Sequence, residues 1–141
     1  MIEGRIVKFF KKHHVLTVAT TTGSEPWCAS CFYVYLPGEN ALVFTSGPAT
    51  RHGREFAENS LVAGTVVLET RVLGKIRGIQ FQGIISVPEG DRHDKAKKAY
   101  LRRFPIAMLM ETHLWIVDLT LIKMTDNRLG FGKKILWVRG N

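Results

Sequence analysis

Cysteine is scarce, with only Cys28 and Cys31 in 141 residues. That count excludes a scaffold stapled by several disulfides, and no second C-x-x-C exists to complete a zinc site. Both cysteines fall in Trp27–Tyr35, which reads as a strand, where residues three apart point to opposite faces. The thiols are therefore expected to stay apart, to hold no metal, and to serve as small buried residues. Long hydrophobic runs are also lacking, which excludes a spanning helix of about 20 apolar residues. The N-terminal segment has no apolar stretch leading to a cleavage site, so a cytoplasmic protein is expected. Acidic residues are few, 12 against 20 basic, giving a net charge of +8. No paired carboxylates and no Ser-His-acid set stand out, so hydrolysis is not proposed. The basic excess gathers in Lys8-Lys11-Lys12 and in Arg92–Arg103, both read as solvated helix faces. Nucleic-acid binding through this surface is a third reading behind small-ligand binding, because no base-reading or interleaved aromatic motif accompanies the charge.

What is present is a chain with 45% hydrophobic residues, enough for a real core in one domain spanning 1–141. Ile2, Ile6, Phe9, Phe10 and His13 recur at helical spacing. Strands follow at Val15–Thr20, Pro26–Leu36 and Ala41–Thr45, separated by turn sequences. A short helix is expected over Arg51–Asn59, then strands at Leu61–Leu68 and about Lys75–Val87, where Gly78 and Gly83 permit a bulge. A second clear helix, Arg92–Arg103, ends before Pro105. Strands from about Leu114 to Lys123 and from Lys134 to Val138 close the chain around a glycine-bearing loop, Asp126–Gly132. About six antiparallel strands with peripheral helices describe a small, mainly β barrel with helices at its ends. His13-His14 at a helix end suits a protonated cap rather than a metal site. Tyr100, Arg102 and Arg103 read as a solvated helix face.

Chemistry concentrates in Thr45-Ser46-Gly47-Pro48-Ala49-Thr50-Arg51-His52. Hydroxyls, a glycine and an arginine follow a strand and lead into a helix. Helix-start N–H groups carry partial positive charge, hydroxyls donate, and an arginine can hold two phosphate oxygens. A phosphate grip is one reading; an ordinary joint with Thr50 as N-cap is the other.

The order of elements, with Trp27-Cys28-Ala29, Phe32-Tyr33, Thr50-Arg51-His52, Ala63–Val66, Arg77–Gly83, Lys98–Tyr100, Arg102–Pro105, Trp115, Lys123–Asn127 and Gly130–Lys134, resembles the FMN-binding split-barrel superfamily. That superfamily includes pyridoxamine 5′-phosphate oxidase, and within it the chain looks like the uncharacterised YhbP-like family. The resemblance implies a six-stranded antiparallel split barrel forming a homodimer, with FMN at the subunit interface and an oxidoreductase activity. It implies cofactor contacts from Cys28, Ala29, Ser30, Cys31, Phe32, Tyr33, Phe44 and Thr45, and a phosphate site at Thr50, Arg51 and His52. Arg77 and Gly78 would lie beside the ring, and Lys123 and Lys133 would close the site from either subunit. Trp115 reads as a core aromatic. His52 stands where the oxidases carry a lysine, so its charge depends on pH. The alternative on the same fold is a non-catalytic binder of haem, a deazaflavin or another anionic ligand.

Overall fold

Ile6, Phe9 and Phe10 form one apolar stripe of the first helix, α1 (Gly4–Lys12), and that stripe plugs one end of a closed sheet. The computed structural model describes residues 2–140. The sheet is built from β1 (Val15–Thr22), β2 (Glu25–Leu36), β3 (Ala41–Thr45), β4 (Leu61–Val67), β5 (Arg77–Ser86), β6 (Leu114–Asp126) and β7 (Lys134–Val138). Helix α2 (Arg51–Glu58) joins β3 to β4, and α3 (Gly90–Arg103) joins β5 to β6.

Six of the seven strands close a ring, β1-β2-β3-β6-β5-β4, and all pairings are antiparallel. The seventh, β7, lies outside it and pairs only with β6. One edge of β6 is shared in sequence: β3 takes Leu114–Asp118 and β7 takes Leu121–Thr125. Between them the register against β5 shifts, Gln82 opposing Leu121 and Gly83 opposing Leu119, so Thr120 is the extra residue of a bulge. The bulge falls beside Gly83, as the sequence suggested.

Alternation explains which residues point inward. Leu16 and Val18, Tyr33 and Tyr35, Ile79 and Phe81, and Ile122 and Met124 fill the interior at period two. Ala41–Phe44 is apolar throughout because both its faces are covered. Leu42 and Phe44 join the barrel interior, while Ala41 and Val43 lie with Leu114, Ile116 and Tyr100 in a second cluster involving α3. Burying each of the large α1 side chains contributes about 2 kcal/mol. Phe10 also stacks on Tyr35 at 5.1 Å, and its carbonyl accepts from the Tyr33 hydroxyl at 2.7 Å. Phe56 of α2 covers the opposite end, with ring centroids 5.0 Å from Trp115 and 5.9 Å from Phe44.

Two charged groups expected on solvated faces are structural instead. Arg103 donates to the carbonyls of Tyr33 and Lys11, each at 3.0 Å, and to that of His13, tying α3 to α1 and the sheet. Arg92 holds Glu39 at 2.8 Å and the Asp118 carboxylate through both terminal nitrogens. Tyr100 of the same helix is buried, its hydroxyl on Thr45, whereas Arg102 is exposed as expected.

Candidate ligand site

The loop Thr45–His52 closes on itself through its own side chains. Thr50 caps α2, its oxygen accepting from the Gly53 N–H at 3.0 Å while its hydroxyl donates to the Gly47 carbonyl at 2.7 Å. A hydroxyl has one proton, so in this arrangement Thr50 has none left for a phosphate. Thr45 pairs with the Tyr100 hydroxyl at 3.0 Å, and Ser46 with His52 Nε2. Trp115, buried as expected, donates its indole N–H to the Ser46 carbonyl at 3.0 Å. Both readings of this segment therefore have a physical basis: the N-cap is present, and Arg51 and one member of the Ser46–His52 pair remain as donors around it.

Arg51 sits at the first position of α2. Its Nε donates to Glu55 at 2.7 Å, and its guanidinium lies 4.1 Å above the Trp27 ring. A second carboxylate, the well-exposed Glu25, approaches at 3.6 Å. Exposed pairs of this kind are worth little, so an incoming phosphate can displace Glu25 without large cost. Glu55 is different: it is buried and also accepts from Thr20 at 2.7 Å. Those bonds from Arg51 and Thr20 hold its carboxyl below the usual range. The i,i+4 spacing of Arg51 and Glu55 was readable in the sequence; the Thr20 partner from β1 was not.

Next to the loop is a cleft of about 510 Å³, lined by Thr45–Pro48 and by Met110–His113. The second wall follows a short 3₁₀ turn after Pro105, which leaves Met108, Leu109 and Met110 exposed. His113 stacks edge-on against Trp115 at 5.0 Å, and its Nε2 is buried with no hydrogen-bond partner. Nothing in the sequence singled out His113, because its significance depends on β6 placing it opposite Ser46.

The other expected contacts separate into three groups. On β2, Cys28, Ser30 and Phe32 lie on the outer face, while Ala29, Cys31 and Tyr33 turn inward. Cys28 is exposed and Cys31 half-buried, which corrects the expectation of two buried thiols. Burial pushes the Cys31 thiol up to about 11, so it is not a nucleophile at neutral pH. Tyr33 and Phe44 are wholly enclosed; their side chains hold the barrel and cannot line a surface ligand. Lys123 is half-buried on the outer face, in a shallow groove of about 480 Å³ with Thr17, Ala63, Thr65 and Gln80. Arg77, Gly78 and the exposed Lys133 lie at the α1 end of the barrel, the end opposite Arg51. Within this single chain, the residues implied by the resemblance do not form one site.

His13 also departs from expectation. It caps α1 through its backbone N–H, and its ring lies 4.2 Å from Phe9 with Nε2 buried and unpaired. Burial, then Lys12 and Arg77, push its imidazole below 6.5, so it is neutral rather than a charged cap. Burial lowers His52 as well, against a smaller opposing pull from Glu55. A histidine with a depressed folded-state pKa binds its proton first in the unfolded chain, so stability falls as pH drops through about 6.5 and levels off below the folded value. Thermal melts should show this first decline as pH falls below about 6.5. A separate acid decline should come lower, where Glu39, Glu55 and Asp126, all held down by basic partners, take up protons. The double variant His13→Gln, His52→Gln should lose the first decline and keep the second.

A closed six-stranded ring with an appended strand and helices at its ends defines a split-barrel protein. Solved structures share this fold. They include a heme binding protein of Mycobacterium smegmatis, with TM-score 0.77 and 21% identity over 92% of this chain, which itself spans 55% of that structure. The heme storage protein HutZ of Vibrio cholerae matches with TM-score 0.68 and 16% identity, over 96% of this chain and 93% of that one. An FAD-binding protein of Mesorhizobium loti matches with TM-score 0.71 and 13% identity, over 87% and 94%. No protein-family model matches the chain. By sequence, the chain is 45% identical over 134 residues to a UPF0306 protein of Photorhabdus laumondii, covering 95% of this chain and 94% of that one. It is 44% identical to one of Yersinia pseudotuberculosis, covering 95% and 91%. The chain belongs to the UPF0306 family. Among the described residues no three metal-ligating side chains cluster, and no helix is long and apolar enough to cross a membrane.

Proposed function

We propose that this chain binds FMN as a homodimer, gripping the flavin phosphate at the start of α2, and that it is a YhbP-like split-barrel flavoprotein working in the cytoplasm. The observation that carries the reading is Arg51: its guanidinium is held in place by Glu55 and Trp27, one residue before His52, whose partner Ser46 lines a cleft large enough for an organic ligand. The donor set fits a phosphate monoester, since Arg51 keeps terminal N–H groups beyond its bond to Glu55. The same reading has Ser30 and Phe32 meeting the ring along the exposed face of β2. A second copy of the chain would contribute Lys123 and Lys133, which are remote from the cleft in a single protomer. Val15, Leu61 and Val67, all exposed apolar residues on the outer face of β1 and β4, suit contact with that copy. Arg77 and Gly78 are left out of the flavin site, because Arg77 belongs to a groove beneath α1. When bound, the flavin supplies the electron chemistry of an oxidoreductase, and the residues named here hold and orient it.

A second reading, haem binding in the same cleft, is favoured by the unpartnered His113 Nε2, a free nitrogen beside Met110. Titrating the purified protein separately with FMN and with haemin distinguishes the two. The flavin reading expects quenching of FMN fluorescence with micromolar affinity, weakened about tenfold by Arg51→Ala, the worth of one charged hydrogen bond of about 1.5 kcal/mol. Unchanged affinity would remove Arg51 from the site. A haemin Soret shift that His113→Ala abolishes, without FMN binding, would transfer the site to haem.

A further inference from the structure

At the α1 end of the barrel, a groove of about 260 Å³ is lined by Arg5, Lys8, Lys12, Arg77 and Arg128, with Phe9 and Met124 beside them. Three of these cations lie along a single face of one nine-residue helix, spaced i, i+3 and i+7. Like charges at such spacings repel and weaken a helix, yet here they point toward a further arginine on β5 and another after β6. Among the described residues no acidic side chain lines the groove.

The carboxylate paired in register with Arg77 is Asp126, and it is fully buried and already taken. Arg128 donates to it through Nε at 3.0 Å, a terminal nitrogen at 2.8 Å and its backbone N–H at 3.0 Å. Arg77 makes no ion pair among the described residues, and its Nε is buried with no acceptor. A buried guanidinium N–H without an acceptor is costly, and an anion in the groove would remove that cost.

We infer that this groove is a binding site for a small phosphorylated anion carrying at least two negative charges, with Arg77 as its buried donor and Arg5, Lys8 and Lys12 as its cationic wall. Its volume is below that of pockets for drug-sized ligands, so it suits a phosphate or diphosphate group rather than a flavin. The local field has a second sign: Lys12 and Arg77 both help push the adjacent His13 toward its neutral form. The site stands apart from the cleft beside α2, at the other end of the ring.

The test uses the full chain labelled with ¹⁵N and titrated at constant ionic strength with inorganic pyrophosphate, inorganic phosphate and, as a control, chloride. Pyrophosphate should bind with a dissociation constant below about 1 mM, tighter than phosphate, with chloride silent. The shifts should centre on Arg5–Lys12, on residues 126–128 and on the Arg77 Nε–H resonance itself. Arg77→Gln should weaken binding about tenfold. Lys8→Gln, an exposed change that leaves folding intact, should weaken it severalfold. Wild-type affinity in both variants, or shifts centred on Thr45–His52 instead, would overturn the assignment, as would silence with all three anions. Binding of phosphate as tight as pyrophosphate would overturn the preference for higher charge.

Discussion

Alanine in place of Gly64 should lower the melting temperature by about 10 °C, the counterpart of about 3 kcal/mol in a domain of this size. The residue sits on β4 where the Phe81 ring from β5 packs against its α-carbon. A Cβ there would stand 2.3 Å from Phe81 Cζ and 2.3 Å from the Thr17 carbonyl oxygen of β1. The ring can tilt, but the carbonyl is fixed by the sheet, so β1 and β4 must move apart. Differential scanning calorimetry measures the loss. The double variant Gly64→Ala, Phe81→Leu separates the two contacts: it should recover the part owed to the ring and none of the part owed to Thr17. Full recovery would mean that the backbone contact costs nothing.

Arg103→Met should destabilise the fold by about 3 kcal/mol while keeping most of the side chain's apolar stem. Three carbonyls, from Tyr33, Lys11 and His13, accept from this one guanidinium. Methionine leaves all of them without that donor. Arg103→Lys should recover only part of the loss, since a single ammonium cannot reproduce the planar fork that spans α1 and the sheet. The check is urea unfolding of the three proteins. Equal midpoints for wild type and Arg103→Met would show that these carbonyls are content with water.

The strands and helices were legible because alternation and helical spacing persist over whole elements. Leu16-x-Val18 and Ile79-x-Phe81 each declare an inward face, and Thr50 declares a helix start. The seventh strand was visible as a segment, but its position outside the ring was not. That depends on β3 reaching β6 across the barrel, a contact between residues 69 to 77 positions apart. The roles of Arg92 and Arg103 were hidden for a similar reason. A basic residue on a helix looks solvated until the fold shows which carboxylates or carbonyls lie above it. At the candidate site, sequence located Thr50, Arg51 and His52 but could not see that Thr50 uses its proton on Gly47, or that His113 faces Ser46. The groove beneath α1 was legible only as excess charge, since its members come from the start and the end of the chain and from β5 between them.

The shared edge of β6 also separates β7 from the closure of the ring. Ring closure needs β3 and the first half of β6, whereas β7 needs only the second half. Every strand of the closed barrel therefore lies within residues 15–126, and β7 is laid against a wall whose pairings close without it.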